Sequence, residues 1–115
     1  MTDDCLFCRI AAGDVPAEVV AGNDHAIAFR DISPVAPTHV LVIPRIHHPN
    51  AAAVAETDPE ALVGMVRLAK QVADDEGIAD DGYRLVANTG AAAHQTVFHA
   101  HLHVLGGRPM GWPPG

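Results

Sequence analysis

Basic residues are scarce in this chain: 7 Lys and Arg stand against 14 Asp and Glu, a formal net charge of −7. A nucleic-acid backbone calls for a basic surface, so this balance counts against binding that polymer. One small phosphorylated ligand stays open, because a few local donors hold a phosphate on an acidic protein. Aromatics are also few, with three Phe, one Tyr and one Trp among 115 residues. The core must rest on Val, Ile, Leu and the Phe side chains. No apolar run approaches a membrane span, and the start Met1-Thr2-Asp3-Asp4 is acidic where a secretory signal is basic and then apolar. The expectation is a cytoplasmic protein with no membrane partner. The only two cysteines, Cys5 and Cys8, lie three apart. A disulfide framework is improbable at that spacing, and a metal or redox use becomes the question.

What is present suits one domain spanning residues 1–115, with no internal repeat or low-complexity linker. Leu6 to Ala12 is expected as a short helix ended at Gly13. Val19-Val20-Ala21 and His25 to Phe29 read as strands around the turn Gly22-Asn23-Asp24. Two prolines make Ser33 to Pro37 a loop. His39 to Ile43 reads as a buried strand stopped by Pro44. The clearest helix runs from Pro59 to Glu76, with Asp58 as N-cap, Pro59 in the first turn and Gly77 at the end. Leu62, Met65, Val66, Ala69, Val72 and Ala73 form its apolar stripe, with Leu68 at the edge. Tyr83 to Asn88 is a further strand. The tail from Gly106 is neither helix nor strand, and its Trp112 is expected to pack against something. The fold class is α+β: an antiparallel sheet of about five strands, one long helix and one or two short ones.

His99 to Leu105 alternates as a strand does. Ala100, Leu102 and Val104 share one face and His99, His101 and His103 the other. Three adjacent imidazoles are hard to explain as packing, since each buried ring needs hydrogen-bond partners. Two chemistries fit. Alternate strand histidines can ligate one metal ion. Alternatively, a neutral imidazole can attack phosphorus and form a covalent phosphoramidate, while its neighbours hold the non-bridging oxygens. His101, at the centre of the run, is the candidate nucleophile. Cys5-Leu6-Phe7-Cys8, taken alone, suits half of a four-ligand zinc site, a redox pair or two buried cysteines.

Phe29-Arg30-Asp31-Ile32-Ser33-Pro34, Ala36-Pro37-Thr38-His39-Val40-Leu41-Val42-Ile43-Pro44 and His99 to Arg108 together resemble the histidine triad (HIT) superfamily. The ending Trp112-Pro113-Pro114-Gly115 resembles its Hint branch. The resemblance implies a purine nucleoside phosphoramidase with His101 as the residue that becomes nucleotidylated. It implies catalytic roles around it for His103, His39 and His99. Asn88 resembles the phosphate-binding amide, and Gln95 and Thr96 fall in the phosphate loop. Asp31 and Ile32 match ribose and base positions, and Leu6, Phe7, Ile10 and Phe29 a purine pocket. Many bacterial relatives complete a structural zinc with two histidines, which implies Cys5, Cys8, His47 and His99 here, with His48 the adjacent alternative. His99 then serves the metal, and its backbone carbonyl orients His101. A homodimer is implied as well. Two departures stand out: Thr96 replaces the usual Ser, and His94 replaces a small residue. The rival functions are a dinucleoside polyphosphate hydrolase of the same superfamily and a nucleotide- or zinc-binding regulatory protein with weak catalysis.

Overall fold

The computed structural model describes residues 4–115. Helix α1 (Leu6–Ala11) precedes strands β1 (Val19–Gly22), β2 (Ala26–Arg30) and β3 (Thr38–Pro44). Helices α2 (Ala51–Thr57) and α3 (Pro59–Asp75) follow, then β4 (Arg84–Val86) and β5 (Leu102–Gly106). The strands form one antiparallel sheet in the order β1-β2-β3-β5-β4. The α+β class expected from the sequence is the one observed.

Period-two alternation gives the sheet two apolar faces. Ala26 and Ala28 of β2, Val40 and Val42 of β3, and Ala100, Leu102 and Val104 pack with α3. Ile27, Phe29, Leu41 and Ile43 point the other way and are covered by Phe7 and Ile10 of α1. His39 is in phase with Leu41 and Ile43 on β3, so this second face carries the histidines.

Helix α3 starts as its sequence predicts, with the Asp58 carboxylate accepting the Ala61 N–H at 3.3 Å. Its buried face differs from the expected stripe. Ala61, Gly64, Met65, Leu68, Ala69, Val72 and Ala73 are buried, whereas Val66 is 45% exposed. The small residues Ala61 and Gly64 turn inward because the helix approaches the β1–β2 hairpin closely there. Asn23 Nδ2 donates to the Gly64 carbonyl at 3.0 Å. A Cβ on Gly64 would lie 2.7 Å from His25 Cβ. Gly64→Val is therefore expected to cost roughly 2 kcal/mol by overpacking, seen as a lower urea midpoint at unchanged slope.

Four boundaries depart from expectation. Helix α2 has one buried residue, Val54, so its sequence carries no amphipathic stripe to find. Strand β3 runs through Pro44, whose missing N–H costs nothing at a strand end. The strand expected over Tyr83 to Asn88 shrinks to three residues at the sheet edge. The strand expected from His99 begins only at Leu102, because the Ala100 N–H is committed to the His48 carbonyl at 2.7 Å. Trp112 is 82% exposed rather than packed. The Arg84 guanidinium lies over its ring, 6.0 Å from the ring centre.

Candidate active site

A cleft of about 440 Å³ opens on the histidine face. His39, His101 and His103 line its floor, Asp31, Ser33 and Val35 one wall, and Asn88, His94 and Thr96 the other. Val86 and Leu105 supply apolar surface. The fold thus gathers positions far apart in sequence: β3 gives His39, β5 gives His103, and the segment entering β5 gives His101.

Hydrogen bonds set the state of each ring. His101 Nδ1 lies 2.7 Å from the His99 carbonyl oxygen, which can only accept. Nδ1 carries the proton, and Nε2 keeps its lone pair. Phe7 packs edge-on to this ring at 5.2 Å, and His103 at 5.1 Å. His39 Nε2 lies 2.9 Å from His103 Nδ1 and 3.4 Å from Asp31 Oδ2. Burial lowers the His39 pKa, and the Asp31 charge opposes the shift in part. Burial, with His101 and His39 nearby, pushes His103 down to about 4. Both rings are neutral at pH 7.

The His103 shift has a stability consequence. An unfolded His103 binds its proton near pH 6.5, the folded one near pH 4. Between those values the unfolded chain binds more protons, so stability rises with pH. This contribution is complete above pH 6.5 and is lost as the pH falls toward 4. The urea midpoint is expected to be lower at about pH 5 than at about pH 8, and His103→Asn to narrow that difference.

Cys5, Cys8, His47 and His99 form a second cluster beneath the first. Their ligand atoms all lie within 4.8 Å of one another, and the group could hold a metal ion. Three of the sulfur–nitrogen separations are 3.3–3.4 Å and the two Nδ1 atoms are 3.2 Å apart. A tetrahedral zinc with ordinary bond lengths demands edges of about 3.6 and about 3.3 Å. The surroundings fit as well. His99 Nε2 donates to the Pro44 carbonyl at 3.0 Å, which leaves Nδ1 bare toward the cluster. The Cys8 N–H points at Cys5 Sγ, 3.4 Å away. Burial and the neighbouring Cys5 push the Cys8 thiol up to about 11, so without an ion the thiol keeps its proton. His47, not His48, joins the cluster, although His47 is exposed and His48 half-buried. Asp31, His39 and His103 also have ligand-like spacing. There His39 Nε2 is hydrogen-bonded to His103 Nδ1 at 2.9 Å, with the Asp31 carboxylate beside it at 3.4 Å.

The remaining expected residues are placed unevenly. Gln95 is buried, and its side chain holds the loop through Gly90, Pro49 and Val97. Its own N–H is taken by the Gly90 carbonyl at 3.0 Å. Phe7, Ile10 and Phe29 lie in the core beside the cleft rather than along its wall. Leu6 borders a separate hollow near Cys5 and Phe98. Ile32 is 98% exposed at the rim. Val35 went unnoticed in the sequence because its contribution is a backbone N–H, donated to His39 Nδ1 at 3.2 Å. No side-chain pattern signals that.

The HIT domain model matches residues 12–110. The chain belongs to the HIT family. Among curated HIT relatives, the purine nucleoside phosphoramidase of Escherichia coli K12 is 45% identical over 111 residues, which cover 96% of this chain and 93% of that protein. An uncharacterized HIT-like protein of Synechocystis is 47% identical over 115 residues, the full length of both. A HIT family hydrolase from Legionella pneumophila superposes with a TM-score of 0.92 at 49% identity, over 97% of this chain and all of that one. A histidine triad nucleotide-binding protein from Candida albicans gives 0.82 at 28% identity, over 96% and 83%. No helix among the described residues is long and apolar enough to cross a membrane.

Proposed function

We propose that this HIT protein is a hydrolase of purine nucleoside phosphoramidates, conjugates of a nucleoside monophosphate such as AMP with an amine. The observation that carries the proposal is the 2.7 Å contact between His101 Nδ1 and the His99 carbonyl, which leaves a bare Nε2 in the cleft. The 45% identity to a phosphoramidase across nearly the whole chain supports the bond class.

His101 Nε2 attacks phosphorus, and the P–N bond to the amine breaks. The leaving amine takes a proton from solvent. Water then attacks phosphorus, the P–Nε2 bond breaks, the nucleotide leaves and one proton returns to solvent. His103 Nε2–H, the Asn88 amide and the Thr96 hydroxyl face the phosphate oxygens and stabilise the charge that develops there. Asp31 and Ile32 sit where ribose and base would lie. Phe7, Ile10 and Phe29 would back a bound purine from the core without lining the cleft, and Leu6 borders the neighbouring hollow. Gln95 acts by shaping the phosphate loop, given its internal hydrogen bonds.

The metal at Cys5, Cys8, His47 and His99 is zinc in this reading, since a Cys₂His₂ set with near-tetrahedral edges suits that ion. Its role is structural: it ties α1 to the segment carrying His99. The active form is a homodimer. Val63 and Val66 lie 49% and 45% exposed on the outer face of α3, and Leu85 lies on the edge strand β4. A partner would cover that apolar surface. Sedimentation at micromolar concentration is expected to give a dimer.

The direct test is incubation with adenosine phosphoramidate, with AMP and ammonia as products. A wild-type protein that leaves it intact but cleaves a dinucleoside polyphosphate would overturn the proposal. So would one that binds AMP but turns over neither substrate.

A further inference from the structure

His103 can donate to a phosphate only if it and His39 each carry the proton on the right nitrogen. His39 Nδ1 accepts the Val35 N–H, so it is bare. The proton of neutral His39 is then on Nε2, facing His103 Nδ1 and the Asp31 carboxylate. His103 Nδ1 accepts in turn, and the proton of neutral His103 is left on Nε2, free for a ligand oxygen. One backbone N–H therefore sets two tautomers in series. Without it His39 can turn to the opposite tautomer. His103 would then donate from Nδ1 and present a bare Nε2 to an anion, which gives no hydrogen bond.

Val35 lies in the loop between β2 and β3. Pro34 and Pro37 remove two N–H groups that could anchor that loop. Three contacts hold it. Asp31 Oδ1 accepts the Ser33 N–H at 2.8 Å. Gly107, at φ +89°, passes so near Pro37 that a Cβ there would lie 2.8 Å from Pro37 Cβ. Arg108 Nη2 donates to the Val35 carbonyl at 2.9 Å. The arginine thus grips the residue whose N–H sets His39. It is exposed, and its Nη1 folds back on the Pro109 carbonyl at 3.0 Å. Among the described residues no carboxylate forms an ion pair with it.

We infer that Arg108 is a positioning residue for the cleft, acting through Val35 to hold His39 and His103 in their working tautomers. Arg108 is 73 positions from Val35, and the link exists only because the turn after β5 crosses the loop before β3. The inference rests on the hydrolase reading for its activity readout, but not for its spectroscopic one.

Arg108→Ala and Arg108→Lys test it. With adenosine phosphoramidate, Arg108→Ala is expected to lose about fivefold to tenfold in kcat, with KM within about twofold of wild type. Arg108→Lys is expected to recover most of the loss, since one ammonium N–H suffices for one carbonyl. Ring ¹⁵N spectra of wild type at neutral pH should show His39 and His103 as Nε2–H tautomers. Arg108→Ala should show both rings shifted toward a mixture. The variant's exposed site leaves folding intact, checked by its melting temperature. The inference is overturned by a wild-type His39 carrying its proton on Nδ1. It is equally overturned by ring spectra that stay unchanged in Arg108→Ala, whether or not activity falls. If wild type hydrolyses no phosphoramidate, the activity reading fails and the ring spectra alone decide the tautomer link.

Discussion

His101→Ala is expected to lower kcat on adenosine phosphoramidate by at least about 10⁴-fold, because in the proposed mechanism this ring forms the covalent bond. KM should change far less, since the phosphate donors and the apolar wall remain. Neighbouring rings offer no substitute. His103 and His39 each have a ring nitrogen committed to the other, and His99 has Nε2 on Pro44 and Nδ1 in the metal cluster. Among the described residues only His101 combines a carbonyl on Nδ1 with a cleft-facing Nε2. The ring is buried against Phe7, so truncation also leaves a small cavity. His101→Asn keeps more of that volume and should be as inactive at a melting temperature nearer wild type. Acid quenching of wild type during turnover should trap nucleotide on one histidine, and neither variant should trap any. Turnover by either variant within tenfold of wild type would remove His101 as the nucleophile.

Metal removal is expected to have the largest effect on stability. Protein purified without a tag should contain close to one zinc per chain. Stripping it, or substituting both cysteines by serine, is expected to lower Tm by about 10 °C or more. At this chain length that corresponds to a loss of roughly 2–3 kcal/mol. An ion held by Cys5, Cys8, His47 and His99 would join α1 to the segment entering β5 in the native state only, so its binding energy would add to folding energy. Binding must deprotonate both thiols, one of which sits near 11 in the metal-free fold. Affinity should therefore fall as pH falls, with protons released on binding. Activity should drop together with stability, since His99, a proposed metal ligand, also offers the carbonyl that aligns His101. Tag-free protein with negligible metal, full activity and a chelator-insensitive Tm would remove the structural metal from the account.

Periodicity marked most of the fold. The alternation of Ala100, Leu102 and Val104 with three histidines divided that segment into an apolar face and a histidine face, and α3 packs on the apolar one. Signals carried by side-chain chemistry also survived folding, as the capping Asp58 did. The failures share a cause. Val66 looked inward because hydropathy cannot tell that Ala61 and Gly64 permit a closer approach on the neighbouring face. Helix α2 was invisible because seven residues with one buried side chain carry no stripe. His99 and His101 fell outside the strand because a distant carbonyl, that of His48, claimed the Ala100 N–H.

The same division applies to the three histidines. Their alternation along the chain determined that His99, His101 and His103 would project from one face, and residue type determined that they suit metal or phosphorus chemistry. Spacing alone could not separate the three roles, because each ring is identical until its partners are known. Tertiary structure gives each ring different surroundings by hydrogen bonds from far along the chain. The Pro44 carbonyl turns His99 toward the cysteines, the His99 carbonyl bares Nε2 of His101, and His39, set by Val35, leaves the free proton of His103 facing the cleft. A proton's place on an imidazole depends on what lies within about 3 Å of each nitrogen, and only the fold supplies those neighbours.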